Sequence, residues 1–237
     1  MATTGRSPRR ATSLSRTIEN PVTGDRTTFL ATAEETNGEL LKYRSEVPAG
    51  SPGVPFHYHL AFTERFEVRE GRLDICLGER ENHVVLEPGQ SAFVPLDTPH
   101  RFWNGSAEPV VFVTEIRPAR KMEQSLRAEY GLARDGKTNE KGVPTNIFEL
   151  ALLYALSESY LVGMPQFLQE GVFVALARIA RWRGYDPEFS EYTKPNGLVG
   201  GRRPPSRTSL GTLTALTAML ALFLLLLWRR GHRKRTR

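Results

Sequence analysis

His57-Tyr58-His59-Leu60-Ala61-Phe62-Thr63-Glu64 decides how this chain is read. In an extended strand, residues two apart share a face. His57 and His59 therefore present both imidazoles to one side. Glu64 follows five residues later with an oxygen ligand. A third histidine, His100, returns forty-one residues after His59, within Pro99-His100-Arg101-Phe102-Trp103-Asn104. That distance lets intervening strands bring the chain back to the same point. Three neutral imidazoles and a carboxylate form a nitrogen and oxygen set suited to a first-row transition metal. His83 stands between charged residues and reads as exposed; His232 belongs to a basic tail.

The surrounding spacing carries a resemblance. His57-x-His59, four residues, Glu64, six residues and Gly71 resembles the first motif of the cupin family. Gly89, five residues, Pro95, Asp97, His100 and Asn104 resembles the second. Ser51 stands where the first motif opens with glycine, with Gly50 and Gly53 close by. Asp97 stands where the second has glycine, and aspartate tolerates turn conformations. The resemblance covers about residues 21–118. It implies an antiparallel jelly-roll barrel, with His57, His59, Glu64 and His100 as ligands of a divalent metal (Fe, Mn, Zn or Ni). Barrels of this kind often pair, so a homodimer is an expectation.

Hydropathy supports a mainly β fold independently. Leu41, Tyr43, Ser45 and Val47 alternate with Lys42, Arg44 and Glu46; Glu64, Phe66 and Val68 alternate with charged residues. Many short strands separated by Gly and Pro turns read as a sandwich or small barrel. Parity turns His57, His59, Glu64, Phe66, Val68, His100 and Phe102 inward, and Tyr58 and Trp103 outward. Ser45, Phe66 and Phe102 are the expected pocket lining, with core packing the simpler role for the two rings. Asn104 is expected to fix a turn through its side chain. A proton shuttle beside the metal has two candidates, Tyr43 and Glu115, the latter only if the closing strand has that phase.

After Pro118 the period becomes helical. Helices are expected over 122–132, 144–161 and 165–182, the third with a stripe through Phe167, Leu168, Val172, Leu176 and Ile179. Residues 119–192 thus form a small α-helical extension. Pro and Gly mark a linker over 193–209. Leu210–Trp228 is a run of nineteen residues without a charge. As a helix it would reach about 28 Å, close to the hydrocarbon thickness of a bilayer. One C-terminal transmembrane helix is expected, followed by a basic tail over 229–237. The positive-inside rule places that tail in the cytoplasm and the barrel outside. Residues 1–20 carry no export signal and read as disordered, which favours a cytoplasmic barrel on a single-pass C-terminal anchor.

Net charge is +6, yet its distribution argues against nucleic acid. Of 32 Lys and Arg, four lie in residues 1–16 and nine in 201–237; the remaining 19 face all 26 acids, a net of −7 over residues 17–200. Cys76 is the single cysteine, which excludes an intrachain disulfide. The partners expected are a small molecule and a membrane. Four protein ligands leave one or two positions on an octahedral ion, where an enolate or diol could bind. The functional expectation is a metal-dependent, dioxygenase-type oxidoreductase acting on a small organic molecule. A metal-dependent isomerase or cyclase, or a non-catalytic binding module held at a membrane, are the alternatives.

Overall fold

In the computed structural model the chain is described at residues 14–185 and 190–193. All of these belong to one unit, Met1–Val199. Ten strands come first: β1 (Thr17–Glu19), β2 (Arg26–Ala31), β3 (Leu41–Val47), β4 (His57–His59), β5 (Thr63–Glu70), β6 (Leu73–Leu77), β7 (His83–Leu86), β8 (Ser91–Val94), β9 (His100–Trp103) and β10 (Val110–Arg117). Then follow α1 (Met122–Arg134), α2 (Ile147–Ser157), β11 (Ser159–Leu161) and α3 (Gln166–Trp182).

The strands form two antiparallel sheets, consistent with the expected jelly roll. One is six-stranded, in the order β1-β2-β3-β10-β5-β8; the other is five-stranded, β11-β4-β9-β6-β7. The chain crosses repeatedly between them, which brings distant motifs together. Alternation along β3 and β5 is regular. Leu41, Tyr43, Ser45 and Val47 are buried, as are Glu64, Phe66 and Val68. Both sheets contribute to an apolar cluster that includes Val47, Phe66, Val68, Leu73, Ile75 and Phe112. A second cluster, including Phe29, Leu41, Tyr43, Phe62 and Ile116, continues into Met122 and Tyr130 of α1.

Turn chemistry carries the two departures from the motif. Gly53 has φ +62°, and a Cβ there would lie 1.8 Å from the Phe102 carbonyl oxygen. That close approach demands glycine, two residues after Ser51. Asp97 adopts φ +57°, and its N–H donates to the His59 carbonyl at 2.8 Å. Asn104 is buried, and its amide donates to the carbonyls of Pro48 and Glu108, each at 2.9 Å, while its Oδ1 accepts from Ser106. It fixes its turn as expected.

The extension differs from expectation. The second helix stops at Ser157, not at residue 161. Asn146 caps its start, accepting from the Phe148 N–H at 2.9 Å. Glu158 then turns left-handed at φ +47°, and Ser159–Leu161 becomes a strand. The apolar run hides this break, because Leu161 continues the helical pattern. At the other end, β1 pairs with β2 ahead of the expected barrel start at residue 21. Helices α1, α2 and α3 share a third cluster through Leu132, Leu152, Ala177 and Ala180. In α3, Leu168, Val172 and Leu176 are partly covered, but Phe167 and Ile179 of the expected stripe face outward. Among the described residues no helix is long and apolar enough to cross a membrane. The run Leu210–Trp228 lies outside the described residues.

Candidate metal centre

The two sheets supply the cluster from opposite sides. His57 and His59 come from β4 and His100 from β9 of the five-stranded sheet. Glu64 comes from β5 of the six-stranded one. His57 and His100 are direct cross-strand partners, with ring centroids 4.3 Å apart. One potential ligand atom from each of the four residues lies within 4.8 Å of all the others. His59, Glu64 and His100 are buried; His57 is half-buried. The rings lie beside both apolar clusters, with the centroid of His59 4.1 Å from that of Phe62 and the centroid of His100 6.4 Å from that of Phe66.

Backbone carbonyls set the orientation of every imidazole. The Nδ1 of His57 faces the Pro55 oxygen at 2.7 Å, that of His100 faces Thr98 at 3.0 Å, and that of His59 faces Glu158 at 3.3 Å. A carbonyl only accepts, so each Nδ1 carries the hydrogen. In a neutral ring Nε2 then keeps its lone pair, the arrangement a metal requires. His59 Nε2 is buried without a hydrogen-bond partner, 3.5 Å from Glu64 Oε2. His100 Nε2 lies 2.7 Å from the same oxygen. A lone pair cannot rest that close to a carboxylate. A positive charge must lie between them, either a proton on Nε2 or a metal ion.

The electrostatics follow from this packing. Burial, and then the neighbouring His100 and His59, push His57 down to about 3, so it is neutral near physiological pH. Burial would raise Glu64, but His59 and His100 outweigh it and hold the carboxyl well below the usual range. Burial would lower His100, but the Glu64 carboxylate outweighs it and raises the imidazole above its ordinary value. Below the raised value of His100, the Glu64 carboxylate therefore faces a protonated imidazole. An entering divalent ion must displace that proton. Near pH 6.5, below the raised value of His100, Zn2+ binding should release protons from that ring. The release should fall towards zero as pH rises past the raised value of His100. Titration calorimetry in two buffers of different ionisation heat checks this; identical heats at pH 6.5 would contradict it.

The other site residues divide. Tyr43 is buried on the inner face, and burial, then the Glu64 charge, raise its hydroxyl pKa further. Ser45 is buried on the same face of β3. Phe66 packs 5.5 Å from Phe102, which lies 5.2 Å from Phe112. Glu115 is a correction. Its neighbours Thr114 and Ile116 turn inward, while Glu115 accepts from the Lys42 ammonium at 2.9 Å on the outer face. Val110 to Val113 are all buried, so alternation is silent there and the phase of β10 could not be read. Tyr58 and Trp103 face away as expected: Tyr58 stacks on Tyr160 at 5.4 Å, and Trp103 packs at a tilt against His83 at 4.8 Å. The sequence reading missed the Glu158 carbonyl and the buried Gln169, whose one signal was an amide set in an apolar helix face.

Residues 43–115 match the family model described as a cupin domain. The match supports the cupin family for this barrel. A cluster of three histidines and one glutamate in a cupin fold could bind a metal ion. A protein from Pestalotiopsis fici named oxidoreductase iacF is 29% identical over 147 residues, covering 57% of this chain and 71% of that protein. Among solved structures, KdgF from Halomonas sp. is 19% identical, with a TM-score of 0.37, covering 42% of this chain and 85% of that one. An RmlC-like cupin from Shewanella frigidimarina is 24% identical, with a TM-score of 0.38, covering 45% of this chain and 86% of its own.

Proposed function

We propose that His57, His59, Glu64 and His100 hold one divalent transition metal, and that the barrel is a metal-dependent oxidoreductase acting on a small oxygen-bearing organic molecule. The observation that carries the metal is the set of three rings turned by backbone carbonyls, with one potential ligand atom from each and one from Glu64 within 4.8 Å of one another, and with the Nε2 atoms of His59 and His100 facing the same carboxylate oxygen. The oxidoreductase reading is supported by the name of the Pestalotiopsis fici relative. A bound metal supplies Lewis acidity, polarising a substrate oxygen. The chain's own residues do the rest. Glu64 offsets the metal's charge, the carbonyls of Pro55, Thr98 and Glu158 keep the rings aligned, and Phe66 and Phe102 exclude water. Tyr43 keeps its proton and can donate a hydrogen bond near Glu64.

A second reading has its own support. With Glu115 facing outward, Tyr43 is what remains of the two proton-shuttle candidates, and burial holds its hydroxyl protonated. If the inward carboxylate and imidazoles are all taken up by the metal, no free base is left among these candidates, and the barrel could bind a ligand without turning it over. Both readings are tested on the full chain purified without added metal. About one ion per chain, with oxygen uptake on a panel of diols, enols and phenols, supports the enzyme. One ion without turnover supports the binding module. No ion on any preparation, nor after dialysis against Mn2+, Fe2+, Zn2+ and Ni2+, removes both.

We further propose that Leu210–Trp228 anchors the chain in a membrane with the barrel on the cytoplasmic side. A membrane partner, on either side, draws support from the α3 surface. Phe167 and Trp182 are 74% and 84% exposed, on a face that also carries Val174 and Arg178. Apolar rings beside arginine suit the headgroup boundary of an anionic bilayer. A reporter fused after Arg237 tests the orientation.

A further inference from the structure

His57 and His100 find their Nδ1 acceptors two residues away, at Pro55 and Thr98. His59 does not. Its acceptor is Glu158, ninety-nine residues along the chain and outside the barrel. The strand that bears both histidines also leans on the extension. β4 pairs with β9 through one residue pair, His57 with His100, but with β11 through three, including Ser159 opposite His59. The register of the ligand strand is therefore held mainly by a segment that follows the barrel.

Two side chains hold that segment. Arg120 donates from Nε and Nη2 to the two oxygens of Glu158, at 2.8 and 2.7 Å. This fork grips the residue whose left-handed backbone turns its carbonyl towards His59. Gln169 is fully buried and uses its whole hydrogen-bonding capacity. Its Oε1 accepts from the Leu161 N–H at 2.8 Å and the Tyr154 hydroxyl at 2.9 Å; its Nε2 donates to the carbonyls of Leu161 and Met164 at 3.0 and 2.8 Å. It binds both backbone groups of the last β11 residue, as a neighbouring strand would.

We infer that the helical extension is part of the metal centre, with Glu158 orienting His59 and with Arg120 and Gln169 as positioning residues that act through it. The inference rests on the metal reading above. Loosening the Arg120–Glu158 fork frees the His59 ring to rotate, and loosening the Gln169 tie at Leu161, opposite His57, lets β4 shift with both its histidines; either weakens the grip on the ion.

The test uses the full chain and Zn2+, with affinity read by competition against a chromophoric chelator. Gln169→Glu keeps the Oε1 acceptor but loses the two amide donors, and should raise the Kd about tenfold. Arg120→Ala, at a half-exposed side chain, should raise it severalfold without loss of folding, and Arg120→Lys should recover part of the affinity. The Arg120 changes are repeated in a His59→Ala background, where they should have no further effect. Equal losses in both backgrounds would overturn the inference. So would an unchanged Kd in both single variants, even if melting temperatures fell. If Gln169→Glu does not fold, the Arg120 pair decides alone. Failure of the unaltered chain to bind Zn2+ would overturn the metal reading together with this one; normal binding with insensitive variants overturns this one only.

Discussion

Replacing His59 with alanine is expected to weaken binding of a divalent transition ion by at least about 100-fold while the chain stays folded. His59 contributes an Nε2 that is buried, unpartnered and 3.5 Å from the carboxylate oxygen it would share. On the proposed metal reading its removal takes away a ligand, and it also removes a buried polar atom that has no hydrogen-bond partner. The structural cost is a small void beside the Phe62 ring, 4.1 Å away, and a Glu158 carbonyl left without its donor. These should cost about 1–3 kcal/mol, within the stability of an ordinary domain. Chelator competition gives the affinity and thermal melting followed by circular dichroism gives the fold. His83→Ala is the control, since that ring is exposed and donates to Asp74 at 2.9 Å, away from the cluster. A His59→Ala protein that binds Zn2+ as tightly as the unaltered chain would remove His59 from the ligand set.

The second large effect lies away from the metal. Arg127→Ala should destabilise the fold by about 3–5 kcal/mol. Arg127 is 2% exposed and sits between α1 and the barrel. Its Nε and Nη2 donate to one Glu123 oxygen at 2.9 and 2.8 Å, and its Nη1 donates to the Ser15 carbonyl at 2.9 Å. Its guanidinium also covers the Phe29 ring at 4.3 Å. Truncation strands the buried Glu123 carboxylate and opens space over Phe29. Urea unfolding of the variant measures the loss. Arg127→Met with Glu123→Leu should recover most of it, because no uncompensated charge remains. A loss below about 1 kcal/mol in the single variant would show that water reaches the pair.

How far the sequence reached depends on the range of the forces involved. The clustering of the four candidate residues was legible because parity is local: His57 and His59 need only an extended strand to share a face, and Glu64 follows inside a short turn. Asn104 was legible for the same reason, since its bonds to Pro48 and Glu108 close a turn built from its own motif. Glu115 was not, because β10 is apolar on both faces as far as Val113 and only its neighbours in space set the phase. β11 was hidden by composition. Glu158 takes a left-handed turn without glycine, and the Arg120 fork that holds it joins residues thirty-eight apart. Arg127 shows the same limit: an i, i+4 pair with Glu123 reads as solvated until Ser15 and Phe29 close over it.

The pairing of Ser159–Leu161 alongside His57–His59 bears on how this barrel can be cut out of its chain. A fragment ending at residue 118 would strip β4 of its outer neighbour and leave an open edge of unsatisfied N–H and C=O groups directly above the histidines. Such an edge recruits other strands, so the excised barrel would tend to self-associate there. The shortest fragment that keeps the rim sealed must run past Gln169.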